Sequence, residues 1–341
     1  MATSTSTGTA FSEDEFASAV EGEKVPPGLG PWKLAWRRLR RNKVALFFGG
    51  LFLLIVVLCL LAPVYSSDVA HIGANDQNIV GNNLNKCPPT CVGTDDVPVG
   101  PTWHTGYFFG ADSLGRDVAV RLLYGGRNSL EIGTIATLIT MILALVIGLT
   151  AGYFRGIADG ILSRLMDLIW AYPVLLLGIA LGTILAVQGI GPLKSSSLLV
   201  PALVIGFVYI PYVGKPVRGQ VLSLREREFI DAARQQGLSN VQIMFREILP
   251  NLASTIVVFI PLILANAILL EAGLTFLGAG VQPPNPSWGT MISDGINQIP
   301  LAFHNVLVPG IMLVLCVLSI NVFGDGLRDA LDPRAKVRIS H

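Results

Sequence analysis

Charged residues are scarce in this chain: Asp, Glu, Lys and Arg make up only 14% of its 341 residues, against 52% hydrophobic ones. A soluble domain of ordinary composition carries about a quarter charged residues, so the balance excludes that class and points to lipid as the solvent. The mean hydropathy of +0.60 says the same. A formal charge of +1 gives no electrostatic ground for nucleic acid or an acidic substrate as a partner. Four cysteines are too few for a disulfide scaffold. His71, His104, His304 and His341 are scattered, with no His-Glu-x-x-His metal site, and there is no Gly-x-Ser-Gly run of an intramembrane serine protease. A phosphate-binding loop is missing as well, because the one Gly-Lys pair, Gly214-Lys215, is followed by Pro216 and lacks the upstream Gly. The chain is therefore expected not to be an enzyme and to hold no cofactor or metal of its own.

What the sequence has instead is apolar runs. A bilayer core about 30 Å thick needs roughly 20 apolar residues in a helix, and six uncharged runs of that order occur: Val44–Tyr65, Ile132–Phe154, Leu165–Val187, Leu198–Val217, Leu252–Leu277 and Asn305–Gly324. The fold class expected is all-α, a polytopic membrane protein of six transmembrane helices. With the N-terminus inside, 19 of the 24 Lys and Arg residues fall in cytoplasmic segments, and only Lys86, Arg116, Arg121, Arg127 and Lys194 fall outside. Positive residues are retained on the cytoplasmic side, so both termini are expected there. Small residues four apart, Ala144, Gly148 and Gly152, then Gly178 and Gly182, suit close helix contacts, either within the chain or with a second one.

Five regions follow. Residues 1–30 form a polar, acidic segment read as a disordered cytoplasmic tail; no apolar stretch near the start resembles a signal peptide. Residues 31–65 hold an interfacial helix, with Arg37, Arg38, Arg40, Arg41 and Lys43 beside Trp32 and Trp36, leading into the first span. Residues 66–128 form an extracytoplasmic loop with an amphipathic helix. Residues 129–328 are a five-helix core including a cytoplasmic loop, 217–251, and residues 329–341 are a cytoplasmic tail. The outer loop contains Cys87-Pro-Pro-Thr-Cys91, which reads as a disulfide in an oxidising compartment, as two free thiols, or as two metal ligands with His71 or His104. Cys59 and Cys316 lie in spans as small hydrophobes.

The loop between the fourth and fifth spans contains an elbow. Arg225 to Gln236 is helix-forming, with Phe229, Ile230, Ala232 and Ala233 clustered on one side. Gly237 suits a left-handed cap. Ser239 with Gln242 three residues on is a capping box for a second helix, whose Val241, Met244, Phe245, Ile248 and Leu249 form an apolar face ending at Pro250. Such an elbow either caps the bundle or seats in a partner's groove, which the small Ala232 and Ala233 would allow.

Asp231-Ala232-Ala233, Gly237 and Ile248-Leu249-Pro250 resemble the Glu-Ala-Ala loop by which permeases of binding-protein-dependent ABC importers dock onto their ATPase. Asp231 stands where that loop usually has Glu, and Glu247 where it has Ile. Phe109-Gly-Ala-Asp-Ser-Leu-Gly-Arg-Asp-Val118 continuing from Arg121 to Leu130, Glu271 to Gly278 with Pro283 to Gly289, and Gly324 to Pro333 are similar to segments of the C-type permease of dipeptide, oligopeptide and nickel importers. The resemblance covers the chain from about residue 32 onward. It implies the type I ABC importer permease fold and the import of di- or oligopeptides by alternating access in a bacterial or archaeal plasma membrane. It further implies a second related permease, two ABC ATPases that bind ATP and Mg, and an extracytoplasmic substrate-binding protein. Phe229, Asp231, Ala232, Ala233, Gly237, Leu238, Leu249 and Pro250 are the ATPase-coupling residues it implies. Nickel or another small solute is the alternative within the family, and a self-sufficient secondary transporter the alternative outside it.

Two stretches keep two readings each. Asp112 or Ser113 can cap an amphipathic helix on the outer membrane surface, with Asp117 and Arg121 spaced i, i+4 for an ion pair on its wet face, as a plain surface helix or as part of a gate with Arg116. Glu271, a carboxylate near the outer end of a span, either lines the pathway or gate, or is held by a structural hydrogen bond or interfacial water.

Overall fold

A computed structural model describes residues 31–77, 100–188 and 197–331. Expectations for the N-terminal tail, the Cys87 and Cys91 pair and residues 332–341 lie outside the described residues. Among those described there is no β-strand, only an isolated bridge pairing Ala111 with Asp117.

The helices are α1 (Pro31–Arg41), α2 (Lys43–Leu60), α3 (Val118–Phe154), α4 (Gly156–Trp170), α5 (Val174–Gln188), α6 (Leu199–Val208), α7 (Ile210–Leu224), α8 (Glu228–Gln235), α9 (Asn240–Phe276), α10 (Trp288–Gly295) and α11 (His304–Leu331). Four of them, α2, α3, α9 and α11, are long and apolar enough to cross a membrane unaided, and the pairs α4/α5 and α6/α7 make up the other two spans.

Those pairs correct the expected third and fourth spans. α4 and α5 meet at an 89° bend at Ala171-Tyr172-Pro173, inside the run expected to be one helix. Pro173 has no N–H to offer the preceding turn, and its ring pushes Tyr172 away from helical backbone. α6 and α7 bend by 40° at Tyr209, before Pro211.

The outer segment is also corrected. Among the described residues there is no separate amphipathic helix before α3: residues 100–117 turn without helix, and α3 starts at Val118 and runs 37 residues through the expected boundary at 128/129. At about 1.5 Å per residue it reaches roughly 55 Å, well beyond a bilayer core. The boundary at 328/329 likewise falls inside α11.

α3 is the axis of the bundle, packed against α2, α6, α7 and α9. A Cβ at Gly148 would lie 2.8 Å from the Gly214 carbonyl oxygen, and one at Gly152 2.7 Å from Val221 Cβ. Only glycine lets α3 and α7 come this close. Gly178 and Gly182 approach Leu274 and Ala279 in the same way. The small-residue spacings therefore serve contacts inside this chain.

Candidate functional site

The elbow begins where α7 ends. Arg227 is extended (φ −86°, ψ 144°) and turns the chain into α8. Gly237, at φ +79°, closes α8: its N–H donates to Arg234 O at 3.0 Å and Leu238 N–H to Ala233 O at 3.2 Å. This Schellman pair satisfies carbonyls that would otherwise be bare. The capping box forms as expected, with Ser239 N–H donating to Gln242 Oε1 at 2.9 Å. No atom stands within 4 Å of a Cβ built at Gly237, so substitution there acts through backbone strain alone. Gly237→Ala is expected to destabilise the cap by about 1 kcal/mol and Gly237→Asn by less. Hydrogen exchange of the α8 amides checks this, with faster exchange in the Ala variant.

The second arm differs from expectation in two ways. It does not stop at Pro250 but continues as the first turns of α9, through a π-helical stretch, Ile243–Ile248. Asn251 Nδ2 donates to Glu247 O at 2.6 Å beside the proline. The wider turn also shifts the facing residues. Ile243, Met244 and Ile248 turn inward with Ile230 and Ala233, whereas Val241 and Phe245, expected to share one face with Met244 and Ile248, are 60% and 58% exposed. Of the Ala pair only Ala232 faces out; Ala233 is 6% exposed and packs inside. Leu238 and Leu249 are half-buried against the same core, and Pro250 is exposed. Asp231 is exposed and pairs with Arg234 at 3.0 Å, a surface contact of little energetic weight. The outward-facing apolar side chains are thus Phe229, Ala232, Val241 and Phe245, set among exposed polar ones that include Asp231 and Gln236.

Tyr153, at the inner end of α3, holds both sides of α8. Its hydroxyl donates to Asn240 Oδ1 at 2.8 Å, its carbonyl accepts from Arg225 Nη1, and the Arg225 guanidinium lies 5.6 Å from its ring centroid. Next to it, Arg155 pairs with Glu226, and the pairing holds the Glu226 carboxyl below the usual carboxylate range. Arg218 makes two bonds to Asp159, 2.5 and 2.7 Å, and Lys215 pairs with Asp167 at 2.6 Å while stacking 4.2 Å over Trp170. Together these ion pairs tie α7 to α4. They went unread in the sequence because the partners lie 48 or more positions apart in the chain.

At the outer end, Asp117 does not pair with Arg121. It caps α3, accepting from Ala119 and Val120 N–H at 2.8 and 3.0 Å and from Tyr107 N–H at 2.6 Å. Burial pushes its carboxyl up, against those three donors. Arg121 is buried rather than wet and faces Asp112 and Asp294 at 3.5 and 3.7 Å. Arg116 bonds the same two carboxylates at 2.6 and 2.9 Å. Two arginines and two aspartates so clamp the turn before α3 onto α10.

Glu271 is wholly buried, accepting from Ser129 Oγ and Thr275 Oγ1, both at 2.8 Å. Ser129 Oγ also accepts from Trp288 N–H at 3.4 Å, and Thr275 Oγ1 from Val281 N–H at 2.9 Å. The carboxyl group organises the hairpin after α9, which favours the structural reading over the pathway one. Glu271→Ala strands two buried hydroxyls and is expected to cost about 2 kcal/mol or more, Glu271→Gln clearly less. Thermal unfolding of the detergent-solubilised chain measures the difference.

A cavity of about 390 Å³ opens between the inner ends of α7, α9 and α11, lined by Gln220, Ser254, Thr255, Val258, Leu262 and Arg328 among others. Thr255 Oγ1 donates to Gln220 Oε1 at 2.9 Å across it. A smaller neighbouring cavity adds Asn321 and Asp325. Sequence reading missed these residues, although Asn251, Ser254, Thr255 and Val258 recur at helical spacing in an apolar run.

The family described as binding-protein-dependent transport system inner membrane component matches residues 144–337. The N-terminal TM domain of oligopeptide transport permease C matches residues 30–88. A dipeptide transport system permease protein of Alkalihalophilus pseudofirmus is 38% identical over 308 residues, 90% of this chain and 91% of that protein. A glutathione transport system permease protein of Pectobacterium atrosepticum is 35% identical over 307 residues, 90% and 92% of the two chains. Among solved structures, a chain of the MetNI methionine ABC transporter in inward-facing conformations superposes with a TM-score of 0.50 at 19% identity, covering 62% of this chain and 96% of that one. That likeness is one of fold.

Proposed function

The chain belongs to the family of binding-protein-dependent transport system inner membrane components, and from that premise we propose that it forms half of the pathway of an ATP-driven importer of di- or oligopeptides. The observation that carries the proposal is the elbow, whose first arm, α8, follows directly on span four and whose second is the start of span five, and whose outward apolar side chains have no partner among the described residues. A displaced patch would move both spans at once. Two ABC ATPases, binding ATP and Mg between them, supply the displacement. A second related permease closes the pathway, and an extracytoplasmic binding protein delivers the substrate. The patch, with Phe229, Ala232, Val241 and Phe245 outermost and Gly237 shaping it, seats in an ATPase groove; Ala233, Leu238 and Leu249 act from beneath by fixing its shape.

The polar cavity at the inner ends of α7, α9 and α11 forms this chain's share of the cytoplasmic mouth, since polar side chains in a span are costly unless they face water or a partner. The outer clamp of Asp112, Arg116, Arg121 and Asp294 holds the external end shut. Both termini lie in the cytoplasm, on the side where Lys and Arg are concentrated.

The test is to reconstitute this chain in vesicles with its second permease, ATPases and binding protein, and to identify the molecule that the binding protein carries. ATP-dependent uptake of a di- or oligopeptide is the expected result. Uptake by the chain alone, driven by an ion gradient, would contradict it.

A further inference from the structure

α1 carries Lys33, Arg37, Arg38, Arg40 and Arg41 and no acidic residue. At about 100° per residue, Ala35 and Leu39 share one side of the helix. Both are buried, and Leu39 packs with Ala45, Phe323, Leu327 and Ala330. Beside them come Trp32 and Trp36, 55% and 54% exposed, and the opposite arc holds the exposed Arg40, Lys33, Arg37 and Arg41. The Arg40 guanidinium lies 4.9 Å over the Trp36 ring. Arg37, Arg40 and Arg41 take part in none of the ion pairs seen among the described residues.

Asn42 joins α1 directly to α2, its side chain accepting from Ala45 N–H at 3.0 Å, so α1 sits at the level where the first span leaves the bilayer. Indole rings prefer the headgroup level, and Lys or Arg side chains reach from there toward lipid phosphates. Each cation beside an anionic membrane surface strengthens the attraction by roughly fivefold. We propose that α1 is a binding site for anionic phospholipid headgroups, with Arg37, Arg40 and Arg41 taking the phosphates and Trp32 and Trp36 setting the depth. The exposed tryptophans beside the cations select a lipid rather than free phosphate.

The site reaches further than anchoring. α1 rests on the inner end of α11 through Leu39, which packs with Phe323, Leu327 and Ala330, and α11 lines the inner cavity through Arg328. Lipid held on α1 therefore steadies one wall of that cavity. One rival occupant exists in the chain itself, the acidic segment with Glu13, Asp14, Glu15, Glu21 and Glu23 that precedes α1 in sequence.

Native mass spectrometry of the purified full chain, offered phosphatidylglycerol and phosphatidylcholine in equal amounts, tests the site. The chain is expected to retain phosphatidylglycerol preferentially. R37Q/R40Q/R41Q should lose about tenfold or more of that preference and R37K/R40K/R41K should keep it. Equal preference in the Gln variant and the parent overturns the proposal, as does loss in the Lys variant. A preference seen only after residues 2–30 are deleted also overturns it, because the acidic segment would then be the occupant.

Discussion

Phe245→Glu, in the reconstituted importer, is expected to abolish uptake while leaving the protein inserted and folded. The side chain is 58% exposed on the elbow and joins no core cluster, so the fold loses little when it changes. In a docked interface the same ring, with Phe229, is the largest apolar side chain that surface offers. Central aromatic anchors typically carry about 2–4 kcal/mol of binding. At about 1.4 kcal/mol per tenfold, Phe245→Ala should weaken ATPase association by roughly 30-fold to several hundredfold. The charged variant should do worse, because a desolvated carboxylate would be added to the loss. Co-purification of the ATPase with each variant reads the effect. Ala233→Leu behaves differently: it has no room beneath the elbow and is expected to lower thermal stability as well as uptake.

Breaking the Tyr153 anchor should separate ATP hydrolysis from transport. Both flanks of α8 are fastened to this one residue, through Arg225 on one side and Asn240 on the other. With the anchors gone, α8 still docks, but its displacement is no longer passed to α3. Arg225→Ala combined with Asn240→Ala is expected to leave binding-protein-stimulated ATPase within a fewfold of the parent and to lower substrate moved per ATP by tenfold or more. Tyr153→Phe removes only the hydroxyl bond, worth about 1 kcal/mol, and should give an intermediate ratio. Since Tyr153 and Asn240 share that bond, their single and double variants should be non-additive in stability. Tyr153→Ala is less useful, because deleting a buried ring costs about 3–5 kcal/mol by itself.

Much of this architecture was legible in the sequence where one local rule acts alone. Gly237 at the elbow and the Ser239–Gln242 box were readable because a left-handed cap and a capping box depend on a few consecutive residues. The spans were readable as uncharged runs, but their true ends were not. Arg121, Arg127 and Glu131 interrupt the hydropathy before Ile132, yet one helix runs through them from Val118 to Phe154. Pro173 lies inside the uncharged run Leu165–Val187, and the chain turns through 89° there. The elbow's facing residues escaped because a π-helical stretch resets the period on which any face prediction relies. Asp117 and Arg121 had the right spacing for an ion pair. Backbone N–H groups claim the first and two distant aspartates claim the second. The ion pairs between α4 and α7 and the cavity between α7, α9 and α11 are tertiary facts, formed by residues distant in the chain.

The central claim is that the outward face of the elbow is the ATPase contact. A photo-reactive benzoylphenylalanine placed at position 245, with position 233 as the buried control, tests it in the assembled importer. Irradiation is expected to crosslink the ATPase from position 245 and not from position 233. Crosslinks from position 245 confined to this chain or to lipid, in an importer that still transports, would contradict the account.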